Sequence, residues 1–226
     1  MERLLDVDAM LDALGKALIA FSAGITIVPP RVGIRVPDLG LMGTMPGYVP
    51  GVALEVKLVS VFPGNHEHAL PSHQGLIALF DESNGAPLAI MDGTYITAIR
   101  TGGTAAVATR ALARKDAKVL AILGAGVQGG SHLETLPRVR DFEEIRIASR
   151  DAGKAATLAA RHPRASCEGN FMKDTRRAFI LAAGSTAAAM SLLQEVVRAA
   201  DDATRDSENA SLWITGPASR PMQRKS

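Results

Sequence analysis

The stretch KVLAILGAGVQGGSH, residues 118–132, constrains the fold of this chain more than any other. Its five residues Val119 to Leu123 are all apolar, the pattern of a strand buried on both faces in a parallel sheet. Gly124, Gly126 and Gly129 come next at the G-x-G-x-x-G spacing. In a strand–turn–helix unit the first glycine permits the tight turn and the second lets backbone approach a pyrophosphate. The third lets helix and strand pack closely. The segment 124–129, Gly124, Ala125, Gly126, Val127, Gln128 and Gly129, would then turn the free N–H groups of a helix start toward that phosphate. Such glycine spacings also arise by chance, so the residues beyond Gly129 must decide between a cradle and a simple turn.

A helix is expected from Val127 to about Val139, and FEEIRIASR supplies a second strand, with Ile145 and Ile147 flanking Arg146. In this fingerprint an acidic residue about 20 positions on grips the ribose hydroxyls of NAD. That count lands on Ser149, with Arg150 next. No carboxylate stands there to repel a 2′-phosphate, and a guanidinium stands ready to bind one. NADP is therefore expected in preference to NAD.

With 47% hydrophobic and 21% charged residues, the 226-residue chain can bury a core as one large domain or two small ones. A net charge of +2, with no basic run before the tail RPMQRKS, argues against a nucleic-acid binder. The single cysteine, Cys167, excludes an intramolecular disulfide and suits a reducing cytosol, so a cytoplasmic location is expected. MERLLDVDAML carries acids among its apolar residues, unlike a secretory leader, and no membrane association is expected. His66, His68 and His73 lie within eight residues but flank a turn and lack cysteine partners, so no metal is assigned to them.

Residues 4–21 place Leu4, Leu5, Leu11, Leu14, Leu18 and Ile19 at amphipathic helical spacing. ITIVPPRVGIRVP reads as an extended segment, and LGLMGTMPGYVPGVALEVKLVSVFPGN as two strands around a Gly/Pro turn. GLIALFDESNGAPLAIMDG is a hairpin whose turn contains Asn84-Gly85. TYITAIRTGGTAAVATRALAR is helical in period despite Gly102 and Gly103. The expected class is α/β: an α+β substrate and dimerisation domain over residues 1–114, then a Rossmann-type dinucleotide domain over 115–226, incomplete at its C-terminal end.

The segments PPR at 29–31, GTMPGY at 43–48, EVKLVSVFPGN at 55–65 and LPSHQG at 70–75 closely resemble the ornithine cyclodeaminase/mu-crystallin family. DGTYITAIRTGGTAAVATR at 92–110 and ILGAGVQGGSHLE at 122–134 continue the match, which runs from about residue 26 to 165. The resemblance implies a homodimer whose first domain makes a sheet-lined substrate site facing the nicotinamide. It implies hydride transfer at a carbon between an amine or imine nitrogen and a carboxylate. Arg31, Lys57 and Arg100 are by similarity the cations of the substrate pocket, Lys57 and Arg100 taking the catalytic roles; Ser72 lines the same site. Past about Cys167 the pattern departs. LLQEVVRAAD echoes a family helix, while LWITGPASRP resembles a loop that would put Ser219 near the nicotinamide. The closing strands and helices of the family do not follow, so the chain reads as truncated or rearranged there, with an uncovered sheet edge prone to aggregation.

The resulting expectation is an NADP-dependent oxidoreductase acting on a cyclic imino acid or a related amino or imino acid. Two alternatives stand beside it. One is an NAD-recycling ornithine cyclodeaminase, disfavoured by Ser219 where such enzymes carry an aspartate and by Arg150 at the ribose position. The other is a catalytically silent crystallin-like binding protein or a nonfunctional truncated product.

Overall fold

The structure, a computed structural model, describes residues 4–167 and, for the backbone, 179–183. The chain divides into two compact units, the first ending at Arg100 and the second beginning at Thr101. The division falls inside one helix, whereas the sequence pattern places it at that helix's end, near Arg114.

The first unit opens with α1 (Val7–Ser22), whose N-cap Asp6 carboxylate accepts the backbone N–H groups of Asp8 and Ala9 at 2.9 and 3.1 Å. Of the helix's apolar positions Val7 and Leu11 are buried, but Leu18 and Ile19 are exposed, as is Leu4 ahead of it. The amphipathic stripe is thus only partly covered among the described residues.

Five strands follow, β1 (Val32–Val36), β2 (Gly40–Val49), β3 (Ala53–Val61), β4 (His73–Phe80) and β5 (Pro87–Asp92). They pair in chain order as an antiparallel meander, because each connection is short enough only for a hairpin or a compact loop. The β4–β5 turn shows how local chemistry sets register. The Asp81 carboxylate accepts Ser83 N–H at 2.8 Å, the Asn84 side-chain oxygen accepts Ala86 N–H at 2.8 Å, and Gly85 takes φ +75°. Glu82 reaches out of this turn to the next hairpin, where it accepts Gly51 N–H at 3.0 Å.

Helix α2 (Gly93–Leu112) begins where the Asp92 carboxylate accepts Thr94 N–H at 2.8 Å. It spans the division between the units. In the second unit β6 (Val119–Leu123), α3 (Val127–Val139), β7 (Glu144–Ala148), α4 (Ala152–Ala159), β8 (Ala165–Cys167) and β9 (Phe179–Ala183) come in order. The strands are parallel, in the order β8-β7-β6-β9. Chain order therefore reverses beside β6, the topological switch point at which doubly wound sheets bind ligands. All five β6 residues are buried. Arg146 interrupts the apolar run of β7 without orphaning a charge, since Glu144 takes both Nε and Nη2 at 2.8 and 3.1 Å. No described helix is long and apolar enough to cross a membrane.

Polar residues on the buried side of α3 are satisfied by the helix itself: Thr135 Oγ1 donates to Ser131 O at 2.8 Å, and Ser131 Oγ to Gln128 O at 2.9 Å. His132 Nδ1 lies 2.6 Å from the same Gln128 carbonyl, and burial lowers the imidazole pKa, which favours its neutral form. Against this stretch lies Gly102. A Cβ there would stand 2.6 Å from Ser131 O, 2.7 Å from Ser131 C and 2.9 Å from Thr135 Oγ1. The glycine that weakens α2 as a helix former is what permits its close approach to α3. Gly102→Ala is expected to lower stability by about 1–3 kcal/mol, despite alanine's better helix propensity. Urea unfolding of the two proteins measures it; a stabilised variant would refute the packing assignment.

Candidate functional site

Two places in the fold carry the residues singled out by sequence, one in each unit. In the first unit the site is built on β3. Strand alternation puts Glu55, Lys57, Val59 and Val61 on one face. Across the sheet Lys57 is in register with Met45 of β2 and Ile77 of β4, so its stem lies among apolar neighbours. Arg31 arrives from the segment just before β1, and Arg100 from α2. The three cations are close enough to act on one another. Burial, then Arg100, then Arg31 bring the Lys57 pKa from 10.5 to about 8, with Glu55 acting in the opposite sense. Arg100 is exposed as a whole residue, yet its guanidinium is desolvated and also feels Arg31, which lowers its pKa.

Two arginines and a desolvated lysine at such range repel one another, and a carboxylate ligand would relieve that repulsion. The structure thus brings together Arg31, Lys57 and Arg100. Ser72 is half-buried just ahead of β4, and its carbonyl accepts Phe62 N–H at 2.8 Å beyond the end of β3. Ser219 lies outside the described residues.

The second place is the turn after β6. Gly124 has φ +103°, a conformation that side chains disfavour, and its N–H donates to Ala148 O at the end of β7, 2.7 Å away. At Gly129 an added Cβ would stand 2.0 Å from Gly124 O, so the turn closes only with glycine there. Gly126 differs: a Cβ on it would meet nothing within 4 Å. Among the described residues no atom demands glycine at that position, and the space above it is open. Gly126 is also the N-cap of α3 and brings no side chain to the first-turn N–H groups. Ala125 completes the turn, Val127 is 75% exposed and Gln128 stands in the first turn of α3. An uncapped helix start beside open space fits a dinucleotide pyrophosphate.

Ser149 and Arg150 lie between the end of β7 and the start of α4, Ser149 half-buried and Arg150 exposed. The neighbouring carboxylate, Asp151, is committed to α4: it accepts Lys154 N–H at 3.0 Å, which holds its pKa below the usual carboxylate value.

Sequence reasoning misses Glu55. Its position two residues before Lys57 in a strand was the available signal. Its carboxylate folds over β2, where Oε1 lies 2.9 Å from the Cβ position of the facing Gly47. Burial raises its pKa, and the charge of Lys57 works against that rise.

The Lys57 shift has a consequence for stability. Its folded pKa of about 8 is below the ordinary 10.5, so the unfolded chain binds more protons between those values and stability rises with pH across that window. Below about pH 8 the full cost of holding the ammonium is present. Discounted for solvent screening of a half-exposed side chain, that cost is on the order of 1 kcal/mol. Lys57→Met is therefore expected to stabilise the chain by about that amount at pH 7, and by less at pH 10. Denaturant unfolding at both pH values checks this; a destabilised variant at pH 7 would contradict it.

The model of the ornithine cyclodeaminase/mu-crystallin family matches residues 1–201, a longer span than the 26–165 over which the motifs run. The chain is 40% identical over 156 residues to the ketimine reductase mu-crystallin of Rattus norvegicus, covering 67% of this chain and 50% of that protein. It is 37% identical over 160 residues to a Delta(1)-pyrroline-2-carboxylate reductase of Bacillus cereus, covering 69% and 49%. The chain thus spans about half the length of these relatives. Among solved structures, that of Thermococcus litoralis Delta(1)-pyrroline-2-carboxylate reductase with NADH and L-proline superposes with a TM-score of 0.73 at 34% identity, covering 80% of this chain and 59% of that one. An archaeal alanine dehydrogenase dimer with bound NAD gives 0.75 at 30% identity, covering 80% and 57%. The chain belongs to the ornithine cyclodeaminase/mu-crystallin family.

Proposed function

We propose that the protein is an NADP-dependent reductase of a cyclic imino acid or a closely related imino or amino acid. The observation that carries this reading is the group of Arg31, Lys57 and Arg100, in which burial first and mutual repulsion second lower the pKa of Lys57 and Arg100. Relatives that reduce ketimines and pyrroline-2-carboxylate support the substrate class.

Each part of the chain then has a task. Arg31 and Arg100 bind the substrate carboxylate and fix the ring orientation, since two guanidinium forks suit a planar anion. Lys57 adds positive charge and, with a pKa near neutrality, can give up a proton to the nitrogen of the reduced product. Ser72 lines the same substrate site by family position, whereas Ser219, assigned by the same resemblance, lies outside the described residues. A nicotinamide dinucleotide, when bound, supplies the hydride. Residues 124–129 hold its pyrophosphate, with the open space over Gly126 left for it. Ser149 and Arg150 favour the 2′-phosphate of NADP: a hydroxyl and a guanidinium suit that group, and the nearest carboxylate, Asp151, is engaged by α4.

The protein acts as a homodimer in this reading. One face of the first sheet, centred on Val56 and Leu58 of β3, leaves Val32 64%, Ile34 61% and Ile90 70% exposed. An exposed apolar face of this extent suits a second copy of the chain. The dimeric state of the archaeal alanine dehydrogenase is consistent with it.

Turnover of a cyclic imino acid by Arg100→Ala tests the central assignment. The loss of a bidentate, charge-assisted contact of about 2–3 kcal/mol is expected to lower kcat/KM by about 30- to 150-fold. NADPH affinity should stay nearly unchanged. Unimpaired turnover would remove Arg100 from the substrate site.

A further inference from the structure

The same face of β3 carries a group that the proposed chemistry has not used. Glu55 precedes Lys57 by two residues, which places the two side chains on one face about 7 Å apart along the strand. Directly across from Glu55 in the sheet stands Gly47 of β2, and Leu79 of β4 flanks it on the other side. Because Gly47 has no side chain, the glutamate can lie down on the sheet. Its Oε1, Cδ and Cγ come within 2.9, 3.8 and 4.0 Å of the position that a Cβ on Gly47 would fill. A half-buried carboxylate held at that place costs desolvation, so its seat calls for a function.

We propose that Glu55 is a positioning residue for the Lys57 ammonium: seated on the bare backbone of Gly47, its carboxylate keeps the lysine charged beside two arginines. This rests on the reading of Lys57 as the charged group of a substrate pocket. Among the described residues the surroundings leave Glu55 as the counter-charge. Met45 and Ile77, the register neighbours of Lys57, are uncharged, and Arg31 and Arg100 both favour loss of its proton. Farther along the same face, two rows beyond Lys57, register places Arg35 of β1 and His73 of β4 beside Leu41 and Val61, and neither supplies negative charge. Glu55 opposes the two arginines, and Lys57 in turn favours ionisation of Glu55. Burial and the two arginines bring down the pH at which the group loses one of its three positive charges, and Glu55 holds it up.

The direct test is the titration of Lys57 itself, followed in the full chain by competitive acetylation with trace acetic anhydride across pH and mass spectrometry of the Lys57 peptide. The wild-type midpoint should lie near 8. Glu55→Gln preserves size and is expected to lower the midpoint by about half to one pH unit, roughly a 3- to 10-fold change in the ionisation equilibrium. Glu55→Ala should give a fall of the same sign, and it decides the question should the Gln variant not fold. Glu55→Asp, which retains the charge, should restore most of the wild-type midpoint. A midpoint unchanged or raised in a folded Gln or Ala variant would overturn the proposal. The readout needs no turnover, so an inactive wild-type protein would count against the enzymatic reading while leaving this result decisive for Glu55.

Discussion

Parallel pairing around β6 is the constraint on which the second unit depends. This strand bonds to β7 on one side and β9 on the other, and all five of its residues are buried. Its end is therefore fixed in space, and the chain must leave it within a few residues. Gly124 supplies the left-handed turn and Gly129 the closeness of the returning helix. Gly126 answers no packing demand of the described residues, and in the proposed reading the opening above it is left for the cofactor. The distinction among three glycines at one spacing is thus physical. Two are required by the fold, and the third leaves room.

The first unit depends on the opposite kind of constraint, a cost left in place. Lys57 is held half-buried between apolar neighbours with two guanidinium groups acting on it. A fold selected for stability alone would place a methionine or leucine there. In the proposed reading the three cations await an anion, and Glu55 on its glycine seat compensates them only in part. In that reading stability is given up for binding.

Much of this was legible in the sequence because the signals were local. The apolar run Val119–Leu123, the turn at Asn84-Gly85 and the period of α2 each report a short-range requirement, and each element formed as expected. The cations were legible through family motifs, since Arg31, Lys57 and Arg100 are scattered over 70 positions and no spacing rule joins them. What escaped was non-local. Gly102 looks like a flaw in a helix until Ser131 and Thr135 are seen against it. Glu55 looks like an outward-facing strand carboxylate until β2 is laid beside β3 with Gly47 in register. The helical spacing of Leu18 and Ile19 states that a face of α1 is apolar, not that the described residues cover it. The division of the chain inside α2 has no local marker either, because the helix runs through it unbroken.

The central claim joins a pyrophosphate cradle at residues 124–129 to a 2′-phosphate preference at Ser149 and Arg150. Fluorescence titration of the purified chain with NADPH and with NADH tests both parts in one measurement. The account predicts saturable binding of NADPH, tighter than that of NADH by about 10- to 150-fold, the range of a single charge-assisted contact of about 1.5–3 kcal/mol. Equal affinity for the two would contradict the role of Ser149 and Arg150, and no saturable binding of either would contradict the cradle itself.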